Sequence, residues 1–212
     1  MTCLPQSVGQ LSALICLDLD GCSALTCLPA SLCQLGALTE LSLCECVALT
    51  CLPDTLGQLT SLSTLYLTSC FSLSCLPESI GQVTALATLT LVDCRALTSL
   101  PASVGRLTAL EILNLSRCSA LTCLPESLGQ LTALTHFNLS GCVLLPAAVK
   151  SWDVQLLEAN QHFGQSRRIQ LLLVAFGLRR TVRRRYRLPP ELWFEIDALL
   201  RQMSLQSISG LA

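Results

Sequence analysis

The sequence predicts an α/β solenoid of about six 24-residue coils. A parallel β-sheet lines its concave side, and a helical cap or extension of about three helices follows. Three observations carry this prediction. The pair Leu-Pro recurs at Leu4, Leu28, Leu52, Leu76, Leu100 and Leu124, always 24 residues apart. Cysteines 22, 46, 70, 94, 118 and 142 keep the same step. Between these markers each coil spells L-x-x-L-x-L-x-x-C-x-x-L with little change, as in LSTLYLTSCFSL at 62–73. Self-similarity at this period describes units that cannot bury their apolar face alone, so neighbours must stack.

Each part of a coil has a local reason. Strict alternation in L-x-L sends both leucines to one side of a strand and the residue between them to the other. Copies 24 residues apart then stack as neighbouring strands about 4.8 Å from one another. After the strand the chain turns at the cysteine and reaches Leu-Pro. Proline suits the start of a helical turn because no donor is needed there, so short helical or 3₁₀ turns are expected on the convex side. Gly9, Gly57, Gly81, Gly105 and Gly129 share one phase, which fits either positive φ or a tight approach; Cys33 replaces the glycine once.

Fourteen cysteines invite a disulfide framework, yet eleven fall on two repeat phases. Six are the pattern cysteines, and Cys3, Cys27, Cys51, Cys75 and Cys123 precede Leu-Pro. Residues phased in this way stack in rows, and the expectation is reduced thiols packed as small apolar groups in a cytoplasmic, or nuclear, protein. The opening MTCLPQSVGQ has no basic stretch followed by an apolar run. The longest apolar run, 171–176, is far short of the roughly 20 residues of a membrane span.

Hydrophobic residues make up 51% of the chain and aromatics 4%, so leucine must fill the core. Charge divides unevenly. Residues 1–150 carry four basic and nine acidic side chains, net −5, whereas 151–212 carry nine arginines and five acids, net +4. The split points to two units, a repeat domain at 1–146 and a helical unit at 147–212. Leu145-Pro146 arrives three residues early, and three helical stretches follow: 148–160, 167–185 and one opening at Pro189. At the other end the chain enters directly at Leu4-Pro5, so the first coil should leave its leucines half covered and its strand edge open. Two explanations stand side by side, a piece of a longer array and end-to-end self-association through the first coil.

The segment 113–134, LNLSRCSALTCLPESLGQLTAL, resembles leucine-rich repeat proteins, in particular the repeats of plant disease-resistance receptors and of Ras-group intracellular repeat proteins. The resemblance covers roughly residues 4–145. It implies a horseshoe-shaped protein-recognition scaffold with no catalytic role, in signalling or defence. A second string, LPPELWFEIDALL at 188–200, resembles the opening of an F-box, the module that joins a substrate receptor to a ubiquitin ligase. That resemblance implies adaptor contacts through Leu188, Pro189, Leu192, Trp193 and Ile196. The same residues also make the apolar stripe of an amphipathic helix, which would complete the cap.

Chemistry-bearing patterns are sparse. His136 and His162 are the only histidines; His136 should project from the concave face beside Asn114 and Asn138, with no serine or cysteine nucleophile aimed at it. Cys44 and Cys46 have no second pair at metal-ligand spacing, no phosphate-cradling glycine loop is present, and no cofactor is implied. The run RRTVRRRYR, from Arg179 to Arg187, is the densest charge; it suits phosphate of nucleic acid or anionic lipid, and equally a solvated helix end. What remains is the concave face. Its informative outward residues are the acids Asp18, Asp20, Glu40 and Glu45, then Tyr66, then Asp93, Asn114, Arg117, His136 and Asn138. Tyrosine and arginine are frequent binding anchors, and the acids would steer a basic protein partner. An ordinary hydrophilic sheet face would carry the same residue types.

Overall fold

In each coil the central L-x-L triplet becomes a three-residue strand: β1 (Cys16–Asp18), β2 (Glu40–Ser42), β3 (Thr64–Tyr66), β4 (Thr88–Thr90), β5 (Ile112–Asn114) and β6 (His136–Asn138). The structure, a computed structural model, describes residues 2–145. The six strands form one parallel sheet in chain order. Partners lie one repeat apart throughout, so Leu17, Leu41, Leu65, Leu89, Leu113 and Phe137 stand in a single column. Leucines 41, 65, 89 and 113 are fully buried. Leu17, with a neighbour on one side only, is partly covered, and Leu11 and Ile15 in the same coil are 54% and 62% exposed. Coil-to-coil bonding does not stop at the strands. A second ladder runs through Thr2, Thr26, Thr50, Ser74, Thr98 and Thr122, each N–H from Thr26 onward donating to the carbonyl one coil earlier.

The side away from the sheet is built of 3₁₀ helices: η1 (Gln6–Gln10), η2 (Ala30–Gln34), η3 (Leu56–Gln58), η4 (Glu78–Gln82), η5 (Ala102–Arg106) and η6 (Glu126–Gln130). Proline caps five of them with φ between −67° and −71°. Few residues separate that proline from the next inward leucine, and the tighter winding fits such short pieces. The convex glycines settle on one of their two expected reasons. None of Gly9, Gly57, Gly81 and Gly105 has positive φ; a methyl group at Gly81 would instead overlap the Ser103 carbonyl, and one at Gly105 the Ser127 carbonyl. Where Cys33 stands in this row it is buried, and the facing helix η3 is cut to three residues.

The two cysteine rows behave differently, which corrects the expectation that both are buried packing. Cys46, Cys70, Cys94, Cys118 and Cys142 are fully buried. Each thiol donates to a carbonyl of the coil before it: Cys46 to Leu19, Cys70 to Leu43, Cys94 to Leu67, Cys118 to Leu91 and Cys142 to Leu115, at 3.0–3.3 Å. The row is therefore a polar ladder as well as core. Burial pushes the Cys46, Cys70, Cys94 and Cys118 thiols up, Cys46 to about 11 and Cys70 and Cys118 to about 12, against an ordinary value of 9.0. By contrast Cys3, Cys51, Cys75 and Cys123 are exposed. They sit next to the inward leucine of Leu-Pro in extended backbone, and alternation turns them outward.

The expected helical unit at 147–212 lies outside the described residues. With it go the candidate adaptor residues Leu188, Pro189, Leu192, Trp193 and Ile196 and the run from Arg179 to Arg187. No helix among the described residues is long and apolar enough to cross a membrane.

Candidate functional site

The strand positions that alternate with the buried column form one face. Its central row, in register, is Asp18, Ser42, Tyr66, Thr90, Asn114 and Asn138; a second row holds Cys16, Glu40, Thr64, Thr88, Ile112 and His136. Asp18 and His136 are exposed, while Glu40, Tyr66, Asn114 and Asn138 are half-buried. Tyr66 lies in register between Ser42 and Thr90, two small side chains, near the middle of the sheet.

Several of the predicted residues also hold the fold. Asp18, Asn114 and Asn138 each accept, through one side-chain oxygen, the N–H two residues on, at 2.9–3.0 Å. That bond shapes the turn and leaves the other polar atom of each side chain available. Asp20 is more committed. One carboxylate oxygen accepts the Ser42 hydroxyl and the Cys44 N–H, the latter at 2.7 Å, joining coil 1 to coil 2. The acidic group is thus divided: Asp18 and Glu40 face outward on adjacent strands, Asp20 is drawn sideways, and Glu45 lies beyond the strand.

Glu45 belongs to a row with a backbone peculiarity. Glu45, Ser69, Asp93 and Arg117 have φ between 60° and 63°, and Gly21 and Gly141 occupy the same phase at either end. Left-handed backbone costs an L-residue about 1–2 kcal/mol. It persists here because each N–H is held by the next coil: Glu45 by Thr68, Ser69 by Val92, Asp93 by Ser116 and Arg117 by Ser140, at 2.7–2.8 Å. The conformation aims four side chains along one rim of the sheet.

On that rim lies a cluster that the strand pattern does not reveal. Arg95 makes a two-point ion pair with Asp93, both contacts 2.9 Å, and its guanidinium lies 4.6 Å from the centre of the Phe71 ring. The Arg95 guanidinium beside Asp93 holds its carboxyl below the usual range. Phe71 and Arg95 are exactly one repeat apart, which is why they stack. Asp93 is therefore paired within the chain, and Phe71 with Arg95 is the larger apolar and cationic feature.

The His136 ring nitrogen Nδ1 lies 2.9 Å from the Thr135 hydroxyl, which itself donates to the Glu111 carbonyl. No cluster of three or more metal-ligating side chains occurs among the described residues. Cys44 is half-buried while Cys46 is inside, so the two do not form a pair.

A family model described as leucine rich repeat matches residues 84–144. The coils within residues 84–144 are leucine-rich repeats. No curated protein matches the chain. Among solved structures, the leucine-rich repeat domain of the type III effector XopL is 24% identical, with 70% of this chain and 69% of that one covered and a TM-score of 0.46. The Arabidopsis receptor kinase HAESA, in complex with the peptide hormone IDA and the co-receptor SERK1, is 27% identical, with 65% of this chain covered and a TM-score of 0.47. Its leucine-rich repeat ectodomain with an extended IDA peptide is 23% identical, with 68% of this chain covered and a TM-score of 0.44. This chain spans 23% and 30% of the two HAESA chains. Leucine-rich repeats generally serve as protein-interaction scaffolds.

Proposed function

We propose that this chain is a non-enzymatic scaffold, intracellular and engaged in signalling or defence, that binds a basic protein partner through the concave face of its leucine-rich repeats. The observation that carries the reading is the register: one unbroken parallel sheet sets Asp18, Glu40, Tyr66, Asn114, His136 and Asn138 on a single face. Tyr66 is the anchor. Asp18, Glu40 and Glu45 steer the partner onto the first two coils, and Arg117 with the asparagines fixes its orientation at the other end. Asp20 and Asp93 contribute mainly through their bonds within the chain.

Five steps of about 4.8 Å make a face about 24 Å long, and a width of about 17–20 Å, five to six extended residues, gives about 400–500 Å². A stable complex buries roughly 800 Å² per partner. These coils alone therefore bind weakly, and the Phe71–Arg95 rim or neighbouring coils extend the contact. The test uses a co-purifying partner, isolated and titrated against the variant Asp18→Asn, Glu40→Gln, Tyr66→Ala. The amide replacement at Asp18 keeps the oxygen that the turn needs. Affinity should fall at least tenfold with circular dichroism unchanged; retained affinity would move the site off this face. The string 188–200 supports a second reading, a ubiquitin-ligase substrate receptor. For that reading the full chain must co-purify with an Skp1-type adaptor and lose it on Leu192→Ala, Trp193→Ala.

A further inference from the structure

We propose that Cys3 and Cys27 form a reversible disulfide that closes the first coil on itself. The Cys27 thiol donates to the Cys3 sulfur at 3.2 Å. Their backbones are joined as an isolated parallel bridge, and Thr26 fixes the approach by donating to the Thr2 carbonyl through both its N–H, at 2.9 Å, and its hydroxyl, at 3.0 Å. A parallel ladder of this kind places Cα atoms about 4.8 Å apart, within the span a disulfide bridges. Cys3 is exposed and Cys27 partly so, which leaves the pair open to a small oxidant. The pair is distinct within its row. Cys51 and Cys75 take hydrogen bonds from the adjacent Thr50 and Ser74 hydroxyls, each at 3.9 Å, within their own coil.

The oxidant is a low-molecular-weight disulfide such as oxidised glutathione. One cysteine thiolate attacks it, forming a mixed disulfide and releasing one glutathione thiol. The neighbouring thiolate then displaces the second glutathione. Two protein thiols are oxidised, one glutathione disulfide is reduced to two thiols, and the two protein protons end on them. The product spans 24 residues of chain and ties down the coil that exposes Leu11 and Ile15. That coil also carries Asp18, so oxidation stiffens the acidic end of the concave face.

The experiment equilibrates the full chain in glutathione buffers of increasing oxidised fraction, blocks free thiols, and maps disulfides by peptide mass. A bond between residues 3 and 27 should form before any other and open with dithiothreitol. Amide exchange in the first coil should slow on the order of tenfold or more. Cys51→Ser should leave both effects intact, and Cys3→Ser should abolish both. Separate glutathione adducts at 3 and 27, earlier bonds between 51 and 75 or between chains, or unchanged exchange in the oxidised coil would each overturn the proposal.

Discussion

Truncating Leu65 to alanine should cost far more than the same change at Leu17, although both occupy one column. Leu65 is fully buried, with Leu41 on one side and Leu89 on the other. Removing three carbons forfeits about 2.4 kcal/mol of transfer free energy. Both neighbours are pinned in register, so the site collapses poorly, and the cavity raises the total to about 3–5 kcal/mol. Leu17 is partly covered and open on one side, so water fills the space and the cost is about 1–2 kcal/mol. Urea denaturation followed by circular dichroism reads both values. In a stacked array the Leu65→Ala variant should also show a lower denaturant slope, because a weakened middle coil uncouples the halves. Equal losses at the two positions would refute the reasoning.

Other outcomes follow from single features. Gly105→Ala drives a methyl group into the Ser127 carbonyl and should cost about 1–3 kcal/mol; Gly36→Ala, with open space around it, should be nearly neutral by the same denaturation assay. Ser69→Gly should be neutral to about 1 kcal/mol stabilising, since relief of its positive φ outweighs the added freedom of the unfolded chain. A loss of stability there would mean that the left-handed turn carries no strain. Alkaline pH should destabilise the fold. The buried thiols keep their protons when folded but release them from about 9 when unfolded, so their contribution is whole below that value. It is lost as pH rises through about 11 to 12. The urea midpoint should fall over this window, less steeply in Cys70→Ala, Cys118→Ala; an identical slope would remove the thiols from the explanation.

How much of this was legible beforehand depends on whether a feature is local or lies between coils. Alternation in L-x-L is local, and repetition copies it, so the parallel sheet, the leucine column and the half-covered first coil follow from the chain itself. The outward turn of Cys51 and Cys75 follows from the same alternation beside a buried leucine, but only once that stretch is known to be extended. The thiol ladder from Cys46 to Cys142 depends on carbonyls a coil away, whose aim no spacing discloses. The left-handed backbone at Glu45, Ser69, Asp93 and Arg117 was hidden for a similar reason. Its signal was glycine at 21 and 141 in the same phase, with four larger residues between. Phe71 and Arg95 share a phase, so their proximity was implied by the period; that this phase faces solvent was not. Asp20 reads as a surface acid until the Ser42 hydroxyl and Cys44 N–H converge on it.

The claim beneath all of this is that each coil is stable only through its neighbours. Amide hydrogen exchange of the free chain, resolved by residue, measures it most directly. Protection at the strand amides should be greatest and nearly equal in coils 2–5, at Leu41, Leu65, Leu89 and Leu113, and should fall by at least tenfold at Leu17 in the first coil. Equal protection at all five leucines, or rapid exchange at Leu65 and Leu89, would contradict the account.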